Sequence, residues 1–150
     1  MTTVRPARPG DGRTWLQLRR ALWPEGSEVE HREEIDRFFA GQFPHGPWTA
    51  LLAEDPDGRL LGFAELSLRP SAEGCQSSPV AYLEGWFVLP DVRRQGVGRL
   101  LVAAGEAWGR SQGCTELASD TSPENEVSAA AHRSLGFDDV GMVRCFRKQR

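Results

Sequence analysis

The strongest hydrophobic pattern lies in the middle of the chain. Residues 80–88 are apolar except at Glu84 and Gly85, which is typical of a buried strand. Apolar residues then recur at the spacing of one helix face: Val97, Leu100, Leu101, Ala104 and Trp108. Gly96 and Gly98 lie where the two patterns meet. The sequence therefore predicts a buried strand, a glycine-rich loop and an amphipathic helix in direct succession.

Similar patterns predict the other elements of the chain. Strands are expected at residues 3–8, 48–54, 60–68, 80–88, 114–119 and 137–148. Helices are expected from Asp11 to about Trp23 and at residues 30–42, 98–112 and 127–135, with a loop at residues 43–47. Hairpins come early and crossovers come late, which predicts an α+β fold. Its mixed sheet should be mostly antiparallel, parallel around the central strand, and flanked by about four helices.

Length, charge and cysteine content narrow the class of protein. A chain of 150 residues with 39% hydrophobic residues corresponds to one domain spanning residues 1–150. The net charge of −3 argues against a nucleic-acid partner, and no apolar run is long enough to cross a bilayer. The N-terminal residues lack an apolar signal region, and the three cysteines lack metal-ligand spacing. We therefore expect a cytoplasmic protein with reduced thiols.

The glycine-rich loop predicts an anion site at the start of the central helix. Backbone N–H groups and the helix dipole favour negative charge at a helix N-terminus, and Arg93 and Arg94 add two positive charges. The loop lacks the Gly-Lys-Ser/Thr ending of a P-loop and the G-x-G-x-x-G spacing of a dinucleotide fold. The loop could still bind the pyrophosphate of a cofactor that neither of these two motifs binds. The alternative is an ordinary strand-turn-helix in which the glycines only cap the helix.

The loop pattern Arg93-x-x-Gly96-x-Gly98 resembles the acetyl-CoA loop of the GNAT superfamily of N-acetyltransferases. Further stretches resemble one branch of it, the aminoglycoside 6′-N-acetyltransferases of bacterial antibiotic resistance. These stretches are Leu22-Trp23-Pro24; residues 74–80 leading into Leu83-Glu84-Gly85; and residues 118–125 followed by His132 and Leu135-Gly136-Phe137. Together with the loop they lie in register along nearly the whole chain.

The resemblance implies a GNAT fold with splayed central strands and a direct transfer of acetyl from acetyl-CoA to the 6′-amine of an aminoglycoside. It implies no metal, no covalent enzyme intermediate and a homodimer. The implied cofactor-binding residues are Trp86, Phe87, Val88, Arg93, Arg94, Gln95, Gly96, Val97, Gly98 and Asn125. Of these, residues 93–98 would hold the pyrophosphate and residues 86–88 the pantetheine, with an N–H of this strand as oxyanion donor.

Two carboxylates are the candidates for acting on the acceptor amine. An aliphatic ammonium must lose a proton before it attacks, directly or through water, and Glu84 and Asp120 could accept that proton. Either carboxylate could also bind ammonium groups of the acceptor. Trp23 matches a family residue that packs on the sugar, so it is a third substrate-binding candidate.

Other residues are expected to have less direct roles. The acidic segment from Glu25 to Asp36 should mostly be a solvated helix face, although a negative rim would attract a cationic substrate. His31 and His45 are expected at the surface, and His132 is expected to pack on a short helix near CoA. Tyr82 is the only tyrosine, and we expect no tyrosine general acid. The thiolate would then leave unprotonated or take a proton from water.

Two alternative functions stay open at this point. One is a GNAT enzyme that acts on another amine, such as a polyamine, an amino acid or a protein amino group. The other is a CoA-binding module without catalysis. The loop together with Glu84 and Asp120 argues against the CoA-binding module. An assay that compares an aminoglycoside with other amines would distinguish the first alternative from the aminoglycoside enzyme.

Overall fold

The helices and strands come from a computed structural model that describes residues 1–42 and 47–150. The strands in this part of the chain are β1 (Thr3–Pro6), β2 (Thr49–Glu54), β3 (Leu60–Arg69), β4 (Val80–Val88) and β5 (Leu117–Ser119). The α-helices are α1 (Gly12–Leu22), α2 (Glu28–Phe39), α3 (Val97–Ser111) and α4 (Glu126–Ser134). The chain divides into two units, Met1–Ser119 and Asp120–Arg150. His45 and most of the predicted loop at 43–47 lie outside the described residues.

The sheet is mixed and mostly antiparallel, which confirms the predicted α+β fold. Its strands lie in the order β1-β2-β3-β4-β5, antiparallel up to β4 and parallel between β4 and β5. The parallel pairing ends where Leu83 meets Ser119, whereas β4 continues to Val88. Residues 84–88 therefore extend beyond the end of β5, as splayed central strands require.

Strand β5 begins at Leu117 and not at Cys114 as the sequence pattern predicts, and Gly113 and Cys114 instead close the end of α3. Gly113 adopts the left-handed conformation with a φ of 84°. Its N–H bonds the carbonyl of Arg110, and the N–H of Cys114 bonds the carbonyl of Gly109. This pair of bonds is a Schellman motif, which ends the helix and reverses the chain.

The predicted last strand at residues 137–148 is wrong. Residues 138–150 form neither helix nor strand, and each is exposed. Their apolar members include Met142, which is 80% exposed, and Phe146, which is 88% exposed. A strand needs a neighbouring strand to satisfy its backbone, and the described unit Asp120–Arg150 holds only helix α4. The alternation of apolar residues is therefore real, but it has no strand to pair with inside that unit.

The two faces of the sheet are covered by different helices. Trp15, Leu18 and Ile35 of α1 and α2 pack with Leu52 and Phe63 in one core cluster. Helix α3 contacts β2, β3 and β4 and buries Leu101 and Val102. Side chains alternate along β3, so Glu65, Ser67 and Arg69 belong to the same face as Phe63. None of the described helices is both long and apolar enough to cross a membrane.

A buried carboxyl group and a buried arginine are paired inside the cluster of α1 and β3. Glu65 is 2% exposed and accepts hydrogen bonds from Trp15 Nε1 at 2.9 Å and from Arg19 Nη1 at 3.3 Å. Arg19, itself 3% exposed, also donates to Glu34. Since a buried charge is costly without partners, each of these contacts offsets part of the desolvation of the other group.

His31 belongs to this network, so the prediction that it lies at the surface is wrong. Its side chain is 4% exposed. Its Nδ1 accepts from Arg19 Nε at 3.3 Å, which leaves Nε2 to donate to the carbonyl of Trp23 at 3.1 Å. The ring also stacks on Trp23, with 6.3 Å between centroids. A neutral imidazole with both nitrogens bonded is stable in the interior, and this arrangement fixes the end of α1.

We predict that Glu65 makes the free energy of unfolding pH-dependent. Burial raises the pKa of Glu65 from 4.5 to about 7, against the opposing effects of Arg19 and Trp15. Between these two values the folded state binds more protons than the unfolded state, so stability falls as pH rises. The difference in unfolding free energy between wild type and Glu65→Gln should decline by about 3 kcal/mol from pH 4 to pH 8.

Urea unfolding at a series of pH values measures this difference. Glu33→Gln, which removes an exposed carboxylate from α2, controls for the change in net charge. A difference between wild type and Glu65→Gln that stays constant across the range would show that the pKa of Glu65 is the same in the folded and the unfolded protein.

Candidate active site

Glu84 occupies a bulge in strand β4. The register pairs Glu65 with Gly85 and Leu66 with Leu83, so Glu84 is the extra residue between two cross-strand pairs. A bulge bends a strand and redirects one side chain. The carboxylate of Glu84 accepts a hydrogen bond from Ser67 Oγ, and its side chain is 30% exposed. The bulge thus places a half-buried carboxylate on the face of the sheet that carries Ser67.

A cavity of about 580 Å³ lies in front of this bulge. Its lining includes five glutamates, namely Glu25, Glu30, Glu34, Glu65 and Glu84. Arg19 and Arg69 also line it, and Trp23 and Trp48 provide aromatic surface. The carboxylates outnumber the cations, and the walls bring apolar rings beside them. This composition suits a ring-shaped molecule that carries several positive charges.

The ring of Trp23 forms the wall next to the bulge. Its backbone N–H caps α1 by bonding the carbonyl of Arg19 at 2.8 Å. The ring meets Phe63 edge-on at 6.0 Å, and the guanidinium of Arg19 lies 5.0 Å from its centroid. A Cβ at Gly85 would come within 2.5 Å of the ring, so glycine at this position is what lets Trp23 lie against β4. Trp23 is therefore partly core and partly cavity wall.

The glycine-rich loop has the geometry of an open anion site. Gly96 is the N-cap of α3, has a φ of 85° and has open space where a Cβ would point. Arg94 also has a positive φ, at 65°. The N-cap Gly96 provides no side-chain hydrogen bond to the first turn of α3, which leaves the N–H groups of that turn open to another acceptor, and Arg94 and Gln95 just before it are exposed. A pyrophosphate fits a site of this kind.

Side chains of β4 and the loop hold each other in place. Gly98 lies against the ring of Trp86, since a Cβ there would approach that ring to 3.1 Å. Arg93 Nε donates to the carbonyl of Val88 at 2.8 Å, and its guanidinium lies 5.5 Å from the Phe87 centroid. Phe87 packs against the core cluster. These contacts connect the loop directly to the end of the splayed strand.

Asp120 and Asn125 belong to the unit Asp120–Arg150. Asp120 follows the last residue of β5 and is exposed. Asn125 is the N-cap of α4, and its Oδ1 accepts from the N–H of Ser128 at 3.0 Å. His132 lies on α4, where its Nδ1 is 2.7 Å from the carbonyl of Ser128 and its ring meets Phe137 edge-on. The two candidate carboxylates, Glu84 and Asp120, thus come from different units.

The motif at residues 74–80 is a loop held by Glu116. One oxygen of Glu116 accepts the N–H of Gln76 at 2.9 Å and that of Ser77 at 2.8 Å, as well as the Ser77 hydroxyl. These bonds, the Ser77 hydroxyl first, lower the pKa of Glu116. The loop leads directly into β4. The motif therefore anchors the start of the strand that carries the bulge.

Sequence reasoning missed Glu65, Ser67 and Arg69 as part of the cavity. The available signal was the alternation of polar residues along the otherwise apolar strand β3. In the acidic segment Glu25, Glu30 and Glu34 line the cavity, the first two of them exposed, whereas Glu28 and Glu33 are exposed and do not line it. Among the described residues no group of three or more His, Cys, Asp or Glu side chains could hold a metal ion.

Known proteins similar to this chain match it over most of its length. The model of the acetyltransferase (GNAT) family matches residues 15–137. An aminoglycoside N(6')-acetyltransferase type 1 of Klebsiella aerogenes is 53% identical, and the match covers 97% of this chain and 95% of that protein. The type 1 enzyme of Stenotrophomonas maltophilia is 43% identical, and the match covers 97% of this chain and 92% of that protein.

Solved structures of similar proteins have the same fold. AAC(6')-Iy in complex with the bisubstrate analogue CoA-S-monomethyl-acetylneamine has a TM-score of 0.90 at 37% identity, covering 100% of this chain and 99% of that one. Apo AAC(6')-IG from Acinetobacter haemolyticus has a TM-score of 0.89 at 37% identity, with 99% of both chains covered. The chain therefore belongs to the acetyltransferase (GNAT) family, in its branch of aminoglycoside N(6')-acetyltransferases.

Proposed function

We propose that this protein is an aminoglycoside 6′-N-acetyltransferase, which moves acetyl from acetyl-CoA to the 6′-amine of aminoglycoside antibiotics and so confers resistance. The observation that carries the proposal is the carboxylate-lined cavity in front of the Glu84 bulge. Aminoglycosides are sugars with several ammonium groups, and this cavity offers carboxylates together with aromatic rings. The names of the relatives from Klebsiella aerogenes and Stenotrophomonas maltophilia support the same acceptor.

The loop and strand residues provide the cofactor site in this proposal. Acetyl-CoA supplies an activated acetyl thioester. The backbone of residues 93–98 would hold its pyrophosphate, with Gly96 giving close approach and Arg94 giving charge. The edge of β4 at Trp86, Phe87 and Val88 would pair with the pantetheine arm, and an N–H there would donate to the acetyl carbonyl oxygen. The amide nitrogen of Asn125 is the group available for its proposed cofactor contact.

The carboxylates prepare the acceptor for attack. Glu84 or Asp120 removes a proton from the 6′-ammonium, directly or through water, and the free amine then attacks the acetyl carbonyl. The new C–N bond forms as the C–S bond breaks, and the sulfur leaves with the bonding electron pair. The nitrogen then releases its second proton to water, which gives the neutral amide. Tyr82 is buried, with the guanidinium of Arg69 3.5 Å from its ring centroid. This surrounding supports a thiolate that leaves unprotonated or takes a proton from water.

The first prediction from the proposed function concerns the reaction and its regiochemistry. Purified protein with acetyl-CoA should release CoA thiol with kanamycin A, which has a 6′-amine, but not with paromomycin, which has a 6′-hydroxyl. A thiol-reactive dye measures the release. Turnover of both drugs would keep the acetyltransferase and discard the 6′ assignment. Turnover of a polyamine alone would assign the enzyme to another amine, and no turnover with any amine would favour a CoA-binding module.

The second prediction concerns the two carboxylates. Glu84→Gln and Asp120→Asn should each lower kcat/KM for kanamycin A by about a hundredfold or more, which is the usual loss when acid–base help is removed. Steady-state kinetics at saturating acetyl-CoA measures the effect. Near-native activity of either variant would remove that residue from the mechanism. Glu33→Gln, an exposed carboxylate that does not line the cavity, is the matched control.

The third prediction concerns Gly96. Alanine at a φ of 85° is strained by about 1 kcal/mol or more, so Gly96→Ala should distort the loop and weaken acetyl-CoA binding by about tenfold. Gly58→Ala introduces the same strain in the hairpin turn between β2 and β3, at a φ of 86°, and should leave acetyl-CoA affinity unchanged. Calorimetry measures both affinities. Equal affinities of the two variants would place the pyrophosphate elsewhere.

The remaining parts of the proposal concern organisation and partners. Residues 1–150 would act as a single GNAT domain, which the match over residues 15–137 supports, since it crosses from one unit to the other. The protein would be a cytoplasmic homodimer without nucleic-acid or membrane partners. The exposed apolar residues Val140, Met142, Val143 and Phe146 support pairing of two copies. A sedimentation mass of one chain at micromolar concentration would contradict the dimer.

A further inference from the structure

Arg69 forms an ion pair with Glu84, one of the two carboxylates that the proposed mechanism uses. It is the last residue of β3, and its guanidinium reaches the bulge of β4. Arg69 Nη2 donates to Glu84 Oε1 at 2.7 Å, and Arg69 Nε donates to Glu84 Oε2 at 3.0 Å. The two bonds form a bidentate pair, the geometry in which arginine binds a carboxylate most strongly. Both oxygens of Glu84 are therefore bonded to a cation of the protein itself.

The orientation of Glu84 does not depend on this pair alone. Ser67 Oγ donates to Glu84 Oε2 from the neighbouring strand, and the bulge fixes the backbone from which the carboxylate projects. A carboxylate held by a hydroxyl and by its own backbone keeps its position when a cation leaves. Arg69, by contrast, ends a strand and begins the polar loop at residues 70–79.

The Arg69 side chain lines the cavity and is partly exposed to solvent. The side chain of Arg69 is 42% exposed, and its guanidinium covers the ring of Tyr82. Because Arg69 is partly in solvent, the net stability of even this bidentate pair is limited, so an ammonium group that further carboxylates also hold can compete for Glu84. The cavity contains further carboxylates, at Glu25, Glu30 and Glu34, that can hold other ammonium groups of an acceptor while this exchange takes place.

We propose that Arg69 is a determinant of acceptor affinity, acting as an internal cation that an ammonium group of the acceptor displaces from Glu84. The inference rests on the proposed function, because it takes Glu84 to bind or deprotonate an amine. In the free protein the positive charge of Arg69 balances the negative charge of Glu84. On binding, the acceptor's ammonium takes over the carboxylate, Ser67 retains it in place, and Arg69 moves toward solvent. Part of the binding free energy of every acceptor is then spent on breaking the pair.

The test is the affinity of kanamycin A for Arg69→Gln, measured by calorimetry, with Arg32→Gln as matched control. Arg32 is an exposed arginine of α2 paired with Glu28, so this variant makes the same change in net charge outside the cavity lining. Arg69→Gln should bind kanamycin A about fivefold more tightly than wild type, the fold-change expected of one ion pair at a solvent boundary. Arg32→Gln should bind like wild type.

A second readout follows the displacement itself. The Nε–H signal of Arg69 in an NMR spectrum, assigned by its loss in Arg69→Gln, should move on saturation with kanamycin A toward its position in free Glu84→Gln. In steady-state kinetics, Arg69→Gln should lower KM for kanamycin A and leave kcat unchanged. An unchanged Nε–H signal, an unchanged affinity or a lower kcat would overturn the proposal and make Arg69 a residue that orients Glu84.

The two proposals fail in different ways. If wild type and Arg69→Gln both bind kanamycin A with the same affinity and turn it over, only the role of Arg69 falls. If neither protein binds kanamycin A or any other amine, the displacement and the aminoglycoside function fall together.

Discussion

One additional residue in strand β4 determines the chemistry of the cavity. The pairing of β3 with β4 skips Glu84, so this carboxylate projects beside Ser67 and Arg69 instead of continuing the regular alternation. Without the bulge, Glu84 and its neighbours would exchange faces, since a shift of one residue moves every side chain of a strand to the other side. Gly85, directly after the bulge, then leaves the space that Trp23 fills. A change in strand register thus sets both the charge and the shape of the cavity.

Another part of the cavity lining depends on the buried network around Arg19. Arg19 bonds Glu65 on the sheet, Glu34 on α2 and His31 next to Trp23, so it joins three elements through one side chain. Such a network fixes the relative positions of α1, α2 and β3 more exactly than apolar packing does, because each bond requires a particular direction. Several side chains that line the cavity, among them Arg19 and Glu65, are consequently ones whose polar groups are costly to bury.

Local pattern predicted the fold well, and spatial pairing accounts for the errors. Residues 80–88 form β4 as predicted, and α3 begins at Val97, one residue before its predicted start, because apolar periodicity is a property of neighbouring residues. The strand at 137–148 failed because its alternation does not say which edge it would meet. His31 was assigned to the surface because nothing in the sequence shows that Arg19 lies beside it. Arg69 was overlooked for the same reason, since its partner is fixed only by cross-strand register.

The first turn of α3 carries a further consequence, for protein engineering. Helices α2 and α4 begin with the side-chain caps Ser27 and Asn125, whereas α3 begins at Gly96 without one. A designer who seeks greater heat resistance would normally add aspartate or serine at such a position. Here the φ of 85° at Gly96 would strain any such side chain, its oxygen would compete for the N–H groups that are proposed for the pyrophosphate, and an aspartate would also repel that anion. At this uncapped helix end, a change made to increase the stability of the fold would therefore be expected to weaken binding of the cofactor.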